Sequence, residues 1–173
     1  MNKLKGLVKL NKAVSAELKP FGISKAKLSN DYSYIFADES VTYKILEDDL
    51  ADKFFNDFIK ERFGIDTTYY GSFVISLLHE VGHHKANDEI EGAIYDFCIS
   101  EKERIAEELA EVETEEKARA LEYQYFNLPD EIMATQWAVN WIKKNPKKMQ
   151  KMNENMKKAV LEFAEKNGFF NED

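Results

Sequence analysis

The stretch that most constrains this chain follows Asp66-Thr67-Thr68, where Phe73, Val74, Leu77, Leu78 and Val81 recur at helical spacing in a segment ending near Lys85. Polar residues occupy another side of the same helix. At about 100° per residue, Ser72, Ser76, His79 and His83 fall within about 60° of one another. A helix divided in this way buries one side in a core and turns another toward a polar cleft. The rest of the chain therefore has to supply both a core and a cleft wall. Gly82 lies inside this helix, where it costs roughly 1 kcal/mol relative to Ala, which is understandable if another segment packs closely there.

The flanking segments predict mostly helix. Leu4, Leu7, Val8, Leu10 and Val14 suit an amphipathic helix over residues 3–18, closed by Pro20 and Gly22. Two runs rich in aromatic and β-branched residues, 32–36 and 41–45, surround the polar turn 37–40 and read as a β-hairpin. A helical pattern resumes at Asp48, with Leu50, Phe54, Phe55, Phe58 and Ile59 on one side, and ends at Gly64. Residues 90–126 are acidic and helix-forming, with a break near Thr114, whose side chain is suited to cap a new helix. Pro129 suits a first helical turn, so a further helix is expected to Lys144. A last helix carries Met149, Met152, Met156, Val160 and Phe163 in register as core residues, ending near Gly168. With 173 residues and a hydrophobic fraction of 44%, the expectation is one domain, mainly α (α+β), with a small β element.

The chemistry concentrates in His79-Glu80-Val81-Gly82-His83. Residues four apart on a helix lie about 40° from each other, so both imidazoles can reach one ion. Glu80 is turned about 100° from His79, near that ion without competing as a ligand, where a general base for an activated water belongs. Zn2+ suits two neutral imidazoles and a carboxylate, with one position left to water. The chain has only three His residues, so the third protein ligand must be a carboxylate. Position leaves two candidates, Glu89 just beyond the helix and Glu131 in the later helical segment. His84 is rotated toward the apolar side, which suggests packing or hydrogen bonding rather than ligation. Tyr123, Tyr125 and His84 are candidates to stabilise an oxyanion.

The first motif, followed by Glu131-Ile132-Met133-Ala134-Thr135-Gln136-Trp137-Ala138, resembles the zincin-type metallopeptidases of the ImmA/IrrE group. Those proteins pair an HExxH helix with a downstream ExxAxxFA-like helix, and Trp137 stands where they usually carry Phe. The resemblance covers roughly residues 69–141. It implies a minimal zincin-like domain in which His79, His83 and Glu131 hold Zn2+ and Glu80 is the catalytic base. It further implies that the small Ala residues let the second helix approach the first, and that the substrate is a protein or peptide, often a regulatory one.

Composition narrows the alternatives. A net charge of −8 argues against a nucleic-acid-binding surface over the whole molecule, and residues before Asp31 hold too little helix for a helix-turn-helix. Seven lysines between Lys143 and Lys158 read as a solvated helix face, since no aromatic residues are interleaved with them for base stacking. Cys98 is the only cysteine, which removes any intramolecular disulfide framework and fits a reducing compartment. No apolar run approaches a membrane span, and Lys9, Asn11 and Lys12 interrupt any signal core, so a cytoplasmic protein is expected. Besides a zinc peptidase, the sequence is compatible with a zincin-like interaction module whose zinc is structural or vestigial, using the acidic region 101–116 and the lysine-rich helix. A weaker reading is hydrolysis of a non-peptide amide or ester by the same chemistry.

Overall fold

A helix that is apolar on more than one side can only be stable when it is enclosed, and α3 (Tyr69–Ala86) is enclosed. In this computed structural model, which describes residues 3–45, 50–66, 69–86, 90 and 92–167, every residue from 71 to 82 is buried. Phe73, Val74, Leu77, Leu78 and Val81 enter the main core, together with Leu10, Val14, Val41, Tyr43, Met152 and Met156. Ile75 points elsewhere, into a second cluster with Phe54, Phe58, Ile59 and Phe126. The two apolar faces leave His79 and Glu80 between them.

Around α3 lie α1 (Lys3–Leu18), α2 (Leu50–Phe63), α4 (Ala93–Ala110), α5 (Glu115–Phe126), α6 (Pro129–Lys144) and α7 (Pro146–Asn167). The structure is mainly α with one small sheet, as expected. Pro129 opens α6 in its first turn, and the Thr114 side chain accepts the Lys117 N–H to cap α5. Met152, Met156, Val160 and Phe163 are buried along α7, whereas the lysines from Lys143 to Lys158 are exposed. The expected helix start at Asp48 and helix end at Gly168 lie outside the described residues.

The sheet has the order β1-β3-β2, with β1 (Lys25–Leu28), β2 (Ser33–Ile35) and β3 (Ser40–Tyr43). β2 and β3 form the expected antiparallel hairpin, in which Tyr34 faces Val41. β1, which hydrophobic patterning did not identify, pairs with β3 in parallel. Its outer N–H groups are satisfied by α1: Ser15 Oγ accepts from Ala26 N (2.8 Å) and Asn11 Oδ1 from Leu28 N (3.0 Å). One edge of the sheet is thus covered by a helix, and the other, β2, lies beside α3.

α6 packs against α3 at its glycine. A Cβ built on Gly82 would fall 2.3 Å from the Ala134 carbonyl oxygen and 2.7 Å from its Cα. Only a residue without a side chain permits that approach. Ala134 and Ala138, both fully buried, are the small partners on α6.

Candidate metal centre

The contact at Gly82 and Ala134 brings three donors together. His79 and His83 are one turn apart on α3, and Glu131 lies on α6 one turn before Ala134. His79 Nε2 is 2.9 Å from Glu131 Oε2 and 3.1 Å from His83 Nε2, and His83 Nε2 is 3.4 Å from Glu131 Oε1. One ligand atom from each residue can be chosen so that all lie within 4.8 Å of one another. Bonds of about 2.0–2.1 Å at tetrahedral angles separate ligand atoms by roughly 3.3 Å, so this donor set fits a single Zn2+ in size as well as in chemistry. Glu89, the alternative third ligand, lies outside the described residues.

Neighbouring groups orient the donors. His79 Nδ1 is 3.0 Å from Thr135 Oγ1, buried on α6; donation from Nδ1 to that hydroxyl leaves the Nε2 lone pair facing Glu131 and His83. Phe55 of α2 packs edge-on against the His79 ring, with centroids 5.3 Å apart. Burial alone would raise the Glu131 carboxyl, but the adjacent His83 and His79 imidazoles outweigh it and hold the group well below the ordinary carboxylate range.

Glu80 is buried at the edge of this cluster, beside the backbone of Tyr34 in β2. Burial pushes its carboxyl up to about 7; His79 and Lys102 oppose that rise, and the Glu131 charge adds to it. His79, Glu80, His83 and Glu131 all line a cavity of about 370 Å³, walled by Tyr34 and Tyr125 among others. Of the three residues considered as oxyanion donors, Tyr125 lines this cavity, while Tyr123 and His84 do not. Tyr123 donates to Glu61, and His84 Nδ1 is paired with the Tyr34 hydroxyl at 2.7 Å. Burial, reinforced by the Glu131 and Glu80 charges, keeps the Tyr125 phenol protonated.

Sequence reasoning assigned no role to Thr135, Phe55, Tyr34 or Lys102. Lys102 of α4 also lines the cavity, and its ammonium donates to both Asp130 and Glu131. A signal for it exists in the sequence: Cys98, Lys102, Ile105 and Leu109 follow a four-three-four spacing, which places a lysine in the buried stripe of α4. Comparisons with protein-family models, with curated proteins and with solved structures found no match to this chain.

Proposed function

We propose that this protein is a zinc-dependent peptidase that hydrolyses a protein or peptide substrate. The observation that carries the reading is the triad of buried His79 and Glu131 with half-buried His83, with Glu80 beside it, on the wall of an open cavity. A purely structural metal would have no need of a carboxyl acid–base group at its edge. The likeness of the two motifs to the ImmA/IrrE group supports the same assignment.

When bound, Zn2+ polarises a water molecule and the scissile carbonyl and lowers the pKa of that water toward neutrality. Glu80, buried beside the three residues that would hold the ion, would be the group to accept a proton from an attacking water and to return it to the leaving amine. The protonated Tyr125 hydroxyl supplies a donor for the developing oxyanion.

A second reading has its own support. Ile94, Tyr95, Phe97 and Ile99 are exposed on the first turns of α4, and Tyr95 and Ile99 also line the cavity. Such a surface suits a partner held rather than cut.

One experiment separates the two. Purified protein should carry about one zinc per chain, and His79→Ala, His83→Ala or Glu131→Ala should lose it, whereas Glu80→Gln should keep metal and fold but not hydrolyse. Proteins that co-purify intact with Glu80→Gln and are shortened by the wild type, with chelator stopping the cleavage, are its substrates. Protein made with zinc available yet free of metal would end the metalloenzyme reading. A partner held equally by both forms and never shortened would establish the interaction module instead.

A further inference from the structure

The ammonium of Lys102 stands in an unusual place for a lysine: about three-quarters withdrawn from solvent, inside the wall of the cavity, and in contact with a carboxylate of the metal triad. It links three elements. Nζ donates to Asp130 and to Glu131 on α6, and lies 5.3 Å from the centre of the Tyr125 ring on α5, while the residue itself belongs to α4. The two carboxylates it joins are consecutive in the chain and would otherwise repel each other in a largely dry setting.

The two oxygens of Glu131 are used differently. Oε1 accepts from Lys102 and lies 3.4 Å from His83 Nε2, so it is shared between the ammonium and the triad, whereas Oε2 faces His79 Nε2 at 2.9 Å and takes no bond from Lys102. A carboxylate with an ammonium fixed to one oxygen cannot rotate freely about its last torsion, and has one oxygen left to offer fully to an ion. An uncompensated carboxylate beside two imidazoles can present both oxygens and raise the coordination number from four to five, crowding the position that a reacting water requires.

We propose that Lys102 is a positioning residue that fixes Glu131 as a one-oxygen ligand and so keeps a coordination position open at the metal centre. The inference rests on the metallopeptidase reading of the site, and it deepens that reading by assigning the control of coordination number to a residue on α4. It stands on hydrogen-bond geometry. A simple charge effect makes the opposite prediction, because removing a nearby cation would strengthen the hold on a divalent ion.

The test uses Co2+ as the probe in the full chain, since its visible absorption distinguishes four-coordinate from five-coordinate sites, together with Zn2+ affinity from competition with a chromogenic chelator. In Lys102→Met, which keeps the length of the side chain without its charge, the Co2+ bands should weaken toward a five-coordinate spectrum. Zn2+ affinity should fall by about 10–100-fold, the usual consequence of losing an outer partner of a ligand. Lys102→Arg, which retains a cationic donor, should recover the wild-type spectrum. Circular dichroism and thermal melting establish that each variant is folded, and Lys102→Gln provides the same comparison should the Met variant not fold. A Lys102→Met spectrum and affinity equal to wild type, or tighter Zn2+ binding, would overturn the proposal while leaving the metal centre intact. A wild type that binds neither ion would instead refute the metal reading, and this inference with it.

Discussion

Gly82→Ala reports on the contact that builds the site. At an ordinary helical position, replacing Gly by Ala adds roughly 1 kcal/mol of stability. Here the added Cβ would meet the Ala134 carbonyl oxygen at 2.3 Å, about 1 Å inside the 3.4 Å at which ordinary contact begins. All three nearest atoms belong to the α6 backbone, so no side chain can rotate away, and the helices themselves must separate. Overpacking of a core typically costs about 1–3 kcal/mol, and a backbone clash belongs at the upper end. The expected net change is a loss of about 2 kcal/mol, opposite in sign to the propensity effect. Separation by about 1 Å also exceeds the roughly 0.2 Å tolerance of metal–ligand distances, so zinc content should fall together with stability. Urea denaturation of the metal-stripped protein measures the first effect, and elemental analysis of the loaded protein measures the second. A variant that is more stable than wild type and retains one zinc would refute the close approach of α3 and α6.

Thr135→Val removes the partner of His79 Nδ1 at nearly constant volume, so zinc affinity measured against a competing chelator should drop by about 10–100-fold; an unchanged affinity would mean that the 3.0 Å bond does not orient the ring. Glu80 gives a pH signature in the metal-stripped protein. Because its carboxyl is raised from the ordinary 4.5 to about 7 on folding, the unfolded chain binds fewer protons between those values, and stability is lost as pH rises through that window. Glu80→Gln should therefore gain on wild type by about 3 kcal/mol between pH 4 and pH 8 in denaturant unfolding, and parallel profiles would show that burial does not raise this group.

Most elements were legible because each carries its own local signal. Pro129 opens α6, Thr114 caps α5, and Gly64 closes α2 with a φ of 67°. The hairpin was marked by two β-rich runs around a polar turn. β1 was not, because Lys25-Ala26-Lys27-Leu28 buries only Ala26, and its pairing is a parallel contact with a strand distant in sequence. The same distinction runs through the candidate site. His79, Glu80 and His83 are set by helical periodicity alone, and Gly82 announced a close neighbour without identifying it. Thr135 and Lys102 acquire their roles only when α4 and α6 are placed against each other and against α3, and no periodicity within one segment encodes that placement. Lys102 was further concealed by its acidic neighbours Glu101 and Glu103, which make the segment read as a solvated face.

On the proposed metal reading, the charges lining the cavity would suit a doubly charged ion better than a singly charged one. Glu80, Asp130 and Glu131 bring three carboxyl groups to one cavity, and Lys102 offsets one of them. His79 and His83 contribute nitrogen donors. A dication therefore balances the ionised site, whereas a monovalent ion leaves an excess negative charge in partly dry surroundings, where such an excess is costly. Imidazole donors would further suit zinc-like ions better than magnesium and calcium, which prefer all-oxygen shells. The rise of the Glu80 carboxyl belongs to the same balance: with a neighbouring carboxylate adding to the effect of burial, protonation is the remaining way for the cavity to reduce its charge. Glu80 and the His79, His83 and Glu131 group thus share one local field.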